Sequence, residues 1–308
     1  MDLDAARDLK RRIRDAAGAP APFATGISLT PRRGEYRVAI LLAGDRDRAI
    51  LRWPRLQRVL SREARHIDVE VAGSIHAATS HDTQQRLDPV VRIGASVGHD
   101  RGGAGSIGFF AARRRDGMRG IVSCNHVIAM ADRAADGDAV VSPARADGGT
   151  NVIASLDGSY PRLERQAVAD CAFAMLLDGV AYDPTSLDGG MLDPEPAMLS
   201  VNLEVTKAGC VTPPRPGGIT RIEIDDVWMR YGLTRIAFHG VVQIGSMSAQ
   251  RFCDYGDSGA LVYTTRTFQP VGMLFAASAL GGPHEMGWTW VHPISQVLDA
   301  LDVDLVAR

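Results

Sequence analysis

The chain has 308 residues, 45% of them hydrophobic and 23% charged, with a formal net charge of −2. That balance supports a sizeable globular core and gives no bulk positive charge with which to hold nucleic acid or an acidic membrane surface. No segment reaches the roughly 20 apolar residues of a membrane span, and four cysteines in a chain of this length exclude a disulfide scaffold.

In chain order, residues 1–20 mix acids and bases around Leu9 and Ile13, which share one helical face. The spacing predicts an amphipathic helix ended by Gly18 and Pro20. It lacks the apolar stretch of an export signal, so a cytoplasmic location is expected. Cys124, Cys171, Cys210 and Cys253 are then expected to be reduced and buried as small apolar residues. No paired Cys or His spacing of a zinc site occurs, so neither a metal nor a cofactor is expected. Lysine appears only at Lys10 and Lys207, which reads as the codon bias of a GC-rich bacterial genome.

Further on, residues 36–43 form an apolar strand, Leu56, Val59 and Leu60 mark a helical stretch, and Ile67, Val69 and Val71 alternate with polar residues as a half-buried strand. The polar stretch His76–Pro89 reads as a linker. Residues 1–88 are therefore expected to be a small α/β leader, and residues 89–308 a separate domain.

That second region changes texture. Short apolar segments at 105–112, 120–127, 138–144, 151–156, 170–177, 201–209, 219–229, 235–244, 259–263, 270–278 and 287–294 are separated by glycine and proline turns. The spacing predicts an antiparallel β-barrel or sandwich. The stretch 294–306, with Val297, Leu298 and Leu301 on one face, predicts a closing helix. The basic run Arg113–Arg115 reads as a solvated hairpin tip.

Three strings carry chemistry. Tyr255-Gly-Asp-Ser-Gly-Ala260 places Ser258 between glycines, in a turn that lets successive amides converge. A serine hydroxyl needs a base, an acid to orient that base, and donors for a developing oxyanion; Gly256 and Ser258 would supply the amides. His126, within the string 121–129, ends an apolar strand and leads into a short turn, where a base could face a cleft. Asp170 leads directly into an almost wholly apolar strand, which tends to bury its carboxylate and so calls for a partner such as an imidazole; the other reading is a strand-start cap facing water. The other acids, Asp132, Asp136, Asp138 and Asp147, lie in polar loops and read as exposed. The order His, Asp, Ser within an all-β region differs from the orders found in α/β-hydrolases and subtilisins.

From about residue 90 onward the chain resembles a trypsin-like serine protease of the chymotrypsin fold. Ser123-Cys-Asn-His126, Asp170–Leu177 and Gly256-Asp-Ser-Gly-Ala260 match the histidine, aspartate and serine motifs. The match is closer to a bacterial intracellular branch, on Ser123–Ala129, Asp147-Gly-Gly149, Asp170–Ala174 and Pro270–Ala276. The resemblance implies a mainly β double antiparallel barrel with a C-terminal helix, preceded by the small α/β leader, and His126, Asp170 and Ser258 as the triad of a serine endopeptidase. Val127 stands where secreted relatives carry a cysteine, so the disulfide beside the histidine is absent. No Ile-Val-Gly-Gly type terminus precedes the region, which leaves the partner of Asp257 open.

Counting back from Ser258 in that pattern puts Phe252 at the base of the specificity pocket, with Asp254 nearby and Ala277 and Gly287 at the walls. A phenylalanine base favours small or apolar side chains. The expected partner is a protein substrate cleaved at limited sites, with no nucleic acid and no membrane. Resembling bacterial proteases stand beside gasdermins and other defence effectors, which makes an operon-encoded effector the expected target. Two other readings use the same residues: a catalytically silent scaffold that binds through its leader, and an esterase or acyl transferase.

Overall fold

The computed structural model describes residues 1–30, 34–77 and 90–307. Helix α1 (Leu3–Ala17) is capped by Asp2, whose carboxylate accepts the Ala5 amide at 2.8 Å. Its buried face of Ala6, Leu9 and Ile13 packs on β1 (Ala24–Leu29) and β2 (Tyr36–Leu42). Helix α2 (Pro54–Glu63) leads to β3 (Ile67–Val71), which runs parallel to β2. Strand β4 (Ile75–Ala77) follows; it opens the stretch read as a linker, whose residues 78–89 lie outside the described residues.

Two β-layers form the remainder. The first contains β5 (Ser96–His99), β6 (Phe109–Arg113), β7 (Arg119–Ser123), β8 (Ala139–Val141), β9 (Val152–Leu156) and β10 (Ala172–Leu176), in the order β6–β7–β10–β9–β8–β5. Between β7 and β8 lies the single-turn helix α3 (Asn125–Ile128). The second layer is built from β11 (Glu204–Ala208), β12 (Gly217–Asp225), β13 (Val227–Tyr231), β14 (Thr234–Phe238), β15 (Val241–Ser246), β16 (Leu261–Thr264), β17 (Pro270–Ser278) and β18 (Trp288–Pro293). Six of these run β11–β16–β17–β18–β15–β12, and β11 pairs again with β12, so the sheet closes on itself and leaves no edge there. The double antiparallel barrel is present, one sheet closed and the other curled.

Two segments expected as single strands are each broken in two. Residues 219–229 divide at Asp226, which has φ 59 and is fully buried, with its carboxylate held by Arg14 Nε at 2.6 Å. Residues 235–244 divide at Gly240, φ 68. Both breaks let the hairpin β13–β14 leave the barrel. The C-terminus also differs from the single helix expected. Helix α4 (Ile294–Leu301) stops at Asp302, φ 53, and β19 (Val303–Leu305) pairs antiparallel with β6. The apolar positions 303 and 305 follow the two-residue period of a strand.

Strand β1 pairs antiparallel with β12, matching Thr25 to Asp225 and Ile27 to Ile222, so β1–β2–β3 prolong the sheet of the closed barrel. Leu9, Ile13, Ile27, Val38 and Ile40 share one buried cluster with Val242, Ile244 and Leu274. Each such side chain contributes about 1.5–3 kcal/mol when fully buried. At the β6–β7 tip the basic run is paired with acids: Arg113 with Asp116 and Asp157, and Arg114 with Asp304.

Candidate active site

Asp170 enters β10 from the loop side and is fully buried. Its Oδ1 accepts the His126 main-chain amide at 3.1 Å, and its Oδ2 faces His126 Nδ1 at 2.5 Å. The Tyr231 hydroxyl donates to the same Oδ2 at 2.5 Å. Burial opposes the charge on this carboxylate, but the charge of His126 and the hydrogen bonds from His126 and Tyr231 hold its pKa below the usual range. Burial, and then the neighbouring Asp170 charge, push the Tyr231 phenol well above its ordinary value, so it remains a donor. With Nδ1 committed to Asp170, His126 Nε2 is buried with no hydrogen-bond partner among the described residues.

Sequence reasoning missed Tyr231 at the β13–β14 turn and His292 in β18. His292 Nε2 accepts the Asp170 amide at 3.1 Å and its ring stacks on Phe275 at 3.9 Å. Burial lowers the pKa of this imidazole to about 3, so the ring is neutral and acts as an acceptor. An unfolded histidine titrates near 6.5, so below that pH the unfolded chain takes up the proton first. Stability from this site is therefore full above pH 6.5 and declines as pH falls toward 3. Between pH 7 and pH 5 the loss should be about 2 kcal/mol, read by urea unfolding, and His292→Gln should flatten that slope. An equal slope in the variant would contradict the assignment.

Helix α3 is fixed by Asn125, which donates from Nδ2 to Asp132 at 2.8 Å and accepts the Asp132 amide at 3.1 Å. The acids read as exposed are engaged locally: Asp138 meets His99 at 3.0 Å, and Asp147 accepts from the Ser96 hydroxyl. Asp132, Asp138 and Asp147 are half-buried by these bonds, while Asp136 is exposed. Cys124 Sγ lies within 4.8 Å of donor atoms of His126 and Asp170. Burial raises its thiol well above the ordinary value, and the S–H goes to the Leu274 carbonyl at 3.4 Å.

The turn carrying Ser258 is stitched to the strand end that carries His126. The Ser258 carbonyl accepts the Ser106 amide at 2.7 Å. Ser123 Oγ donates to the Ser106 carbonyl at 2.8 Å. The Leu274 carbonyl accepts both the Gly259 amide, at 2.7 Å, and the Cys124 thiol. Gly259 sits at φ 92, and a Cβ there would lie 2.3 Å from the Ser106 carbonyl. A Cβ on Gly105 would meet Val127 Cγ2 at 2.6 Å and the Ser258 carbonyl at 2.8 Å, which puts residues 127 and 258 side by side. Gly256, at φ 103, opens the turn; its carbonyl is held by the Ser106 hydroxyl at 3.1 Å and the Cys210 thiol at 3.2 Å.

Asp257 has a partner inside the chain. Lys207 Nζ lies 3.1 Å from its Oδ2, and both side chains are fully buried. Oδ1 accepts the Val211 amide at 3.1 Å, and Oδ2 takes the Thr212 hydroxyl at 2.7 Å and the Asp254 amide at 3.0 Å. Lys207 also donates to the Thr212 carbonyl at 2.9 Å. One of the chain's two lysines thus holds the carboxylate next to Ser258. Its signal in the sequence was positional, because Lys207 is two residues from Val205 on the inward face of β11.

Beside the turn is a cavity of about 360 Å³ lined by His76, Arg251, Cys253, Asp254, Tyr255 and Ala277, and by the next residues of that strand end. Asp254 and Ala277, both read as pocket residues, are among these. Phe252 instead turns into the barrel core, where its ring would be 2.6 Å from a Cβ on Gly217. Gly287 lies at the turn before β18, its amide bonded to the Gly281 carbonyl at 2.8 Å.

No protein-family model and no curated protein matches this chain. Solved structures do. Protease A of Thermobifida fusca is 18% identical, aligns over 71% of this chain and 100% of its own, and has a TM-score of 0.50. A glutamic acid-specific serine protease, described as using a histidine triad in substrate binding, is also 18% identical over 70% of this chain and 100% of its own, with a TM-score of 0.51. The chain has the chymotrypsin fold of these serine proteases.

The donor to Asp170 can be tested directly. Tyr231→Phe should slow labelling of Ser258 by a fluorophosphonate about tenfold, the scale of one hydrogen bond to a charged group. Thermal unfolding should show an intact fold. An unchanged rate would mean that the phenol does not steady the carboxylate.

Proposed function

We propose that this chain is a serine endopeptidase. The observation carrying the reading is the buried Asp170 carboxylate, bonded to both the main chain and Nδ1 of His126, with the opposite ring nitrogen left without a partner among the described residues. In this reading Ser258 Oγ attacks a peptide carbonyl while its proton passes to His126 Nε2. The imidazolium is stabilised by Asp170, and the amides of Gly256 and Ser258 receive the oxyanion. His126 then returns the proton to the leaving amine, and water repeats the cycle on the acyl-enzyme.

The cavity beside the turn, about 360 Å³ and bordered by Asp254 and Ala277, accepts the side chain preceding the cleaved bond. The natural substrate is a particular cytoplasmic protein cut at limited sites, with an effector encoded beside the protease as the first candidate. Residues 1–88 serve as a regulatory leader to the protease region 89–308. The test is digestion of a peptide library with mapping of the new termini. Internal cleavages, lost in Ser258→Ala, support the endopeptidase. Hydrolysis of small esters with no peptide cleaved by any variant of the chain would favour an esterase, and neither activity, together with no fluorophosphonate labelling of Ser258, would favour a scaffold.

A further inference from the structure

The edge of β17 is shared unevenly. On one side it pairs with β18 along most of its length, from Gly272 against Pro293 to Ala277 against Thr289. On the other, β16 covers only the first half, from Pro270 to Met273. Leu274 then bonds to the serine turn through the Gly259 and Ala260 main chain. Beyond it, Ala276, Ala277 and Ser278 would present an open row of backbone donors and acceptors. That row is taken by β4 of the leader, antiparallel, with Ala77 against Ala276, His76 against Ala277 and Ile75 against Ser278.

The direction of this pairing matters. A chain laid antiparallel on residues 278 to 276 advances toward Leu274, whose carbonyl holds the Gly259 amide beside Ser258. His76 also borders the cavity formed by Cys253, Asp254, Tyr255 and Ala277. Any extended polypeptide adding a strand to this edge would be fed toward the serine, and strand addition is a general way of holding an extended peptide by its main chain. We infer that residues 75–77 occupy the substrate's strand-binding edge, so that the leader holds the protease in a latent state until β4 is displaced. This inference rests on the reading of Ser258 as the nucleophile.

The physics suits a reversible block. A tethered segment competes at an effective concentration in the millimolar range for short flexible connections, above most free peptides. Yet the ladder is only three residues long, with Ile75 and Ala77 half-buried and His76 exposed, so a partner that pulls on the leader can release it. Exposure of His76 also argues against a purely apolar staple.

Because alternate amides in an antiparallel strand face the partner, one of His76→Pro and Ala77→Pro removes a ladder hydrogen bond. In the 308-residue chain that variant should raise kcat/KM for peptide cleavage at least tenfold, chiefly through a lower apparent KM. A small fluorophosphonate does not need the strand edge, so its labelling of Ser258 should stay within about twofold. The free hexapeptide of residues 72–77 should compete with peptide substrate in the activated variant. As a control against misfolding, Ala77→Cys combined with Ala276→Cys should lock the pair on oxidation, suppress peptide cleavage and recover it on reduction, with probe labelling retained throughout. Labelling with unchanged or reduced cleavage in both proline variants, and no effect of the crosslink, would overturn the latency and leave the nucleophile standing. No labelling of Ser258 in any form would remove both.

Discussion

Ser258→Ala should abolish peptide cleavage, by a factor on the order of 10⁶ in turnover where the triad acts as a unit, while leaving the fold in place. The expectation of an intact fold comes from how the turn is built. Asp257 donates its amide to the Asp254 carbonyl at 3.1 Å, Gly259 to Leu274 at 2.7 Å and Ala260 to Asp257 at 2.9 Å. The Ser258 carbonyl takes the Ser106 amide at 2.7 Å. All four bonds run through main chain and survive loss of the hydroxyl. The variant should therefore unfold within a few degrees of the parent, since about 1 kcal/mol moves the midpoint by only 2–4 °C in proteins of 150–250 residues. A large fall in the midpoint would show that the hydroxyl is a structural group, and undiminished cleavage would remove it from the chemistry.

Lys207→Met should be the most damaging single change to stability, at about 3–5 kcal/mol, because it strands a buried carboxylate without its counter-charge. The methionine keeps most of the volume, so the loss reports charge and not a cavity. Asp257 retains its bonds from Val211, Thr212 and Asp254, but no cation other than Lys207 pairs with it among the described residues. The adjoining Ser258 turn should loosen with it, and probe labelling should fall in parallel. Adding Asp257→Asn to the Lys207→Met chain removes the stranded charge and should restore at least half of the lost stability in a urea titration. A single-variant loss below about 1 kcal/mol, the scale of an exposed pair, would contradict a buried pair.

Much of this site was legible in the sequence because its signals are local. Asp170 stood out by leading into an unbroken apolar strand, and it is fully buried. His126 ended an apolar segment, and Gly256 and Gly259 announced a turn that requires positive φ at both. The residues that complete the site were not legible, because each reaches it across the fold. Tyr231 is 61 residues from Asp170 in sequence and His292 is 122. Nothing in the local pattern of either shows where its polar atom ends. The residues read as lining a pocket divide between a cavity and the core. Asp254 and Ala277 line the cavity, whereas the Phe252 ring is drawn toward Gly217 and Ile244 by apolar packing that spans distant strands.

The fold showed the same division. Short apolar segments between glycine and proline turns located the barrel strands, but the break at Asp226 depends on a left-handed backbone at a non-glycine residue, held by Arg14 from the opposite end of the chain. His76 and Ala77 stood at the start of the stretch read as a linker, and residues 75–77 form a strand where an open edge about 200 residues later accepts them. The chain's two lysines, at 10 and 207, both proved to be buried cations: Lys10 meets Asp225 at 2.9 Å, and Lys207 meets Asp257.

Locating the fluorophosphonate adduct by peptide mass spectrometry tests the centre of this account most directly. A single adduct on Ser258, slowed by orders of magnitude in His126→Ala and in Asp170→Asn, is the result expected of a hydroxyl activated by an imidazole and its carboxylate. Labelling at another residue, or at Ser258 with equal speed in the His126→Ala chain, would contradict it.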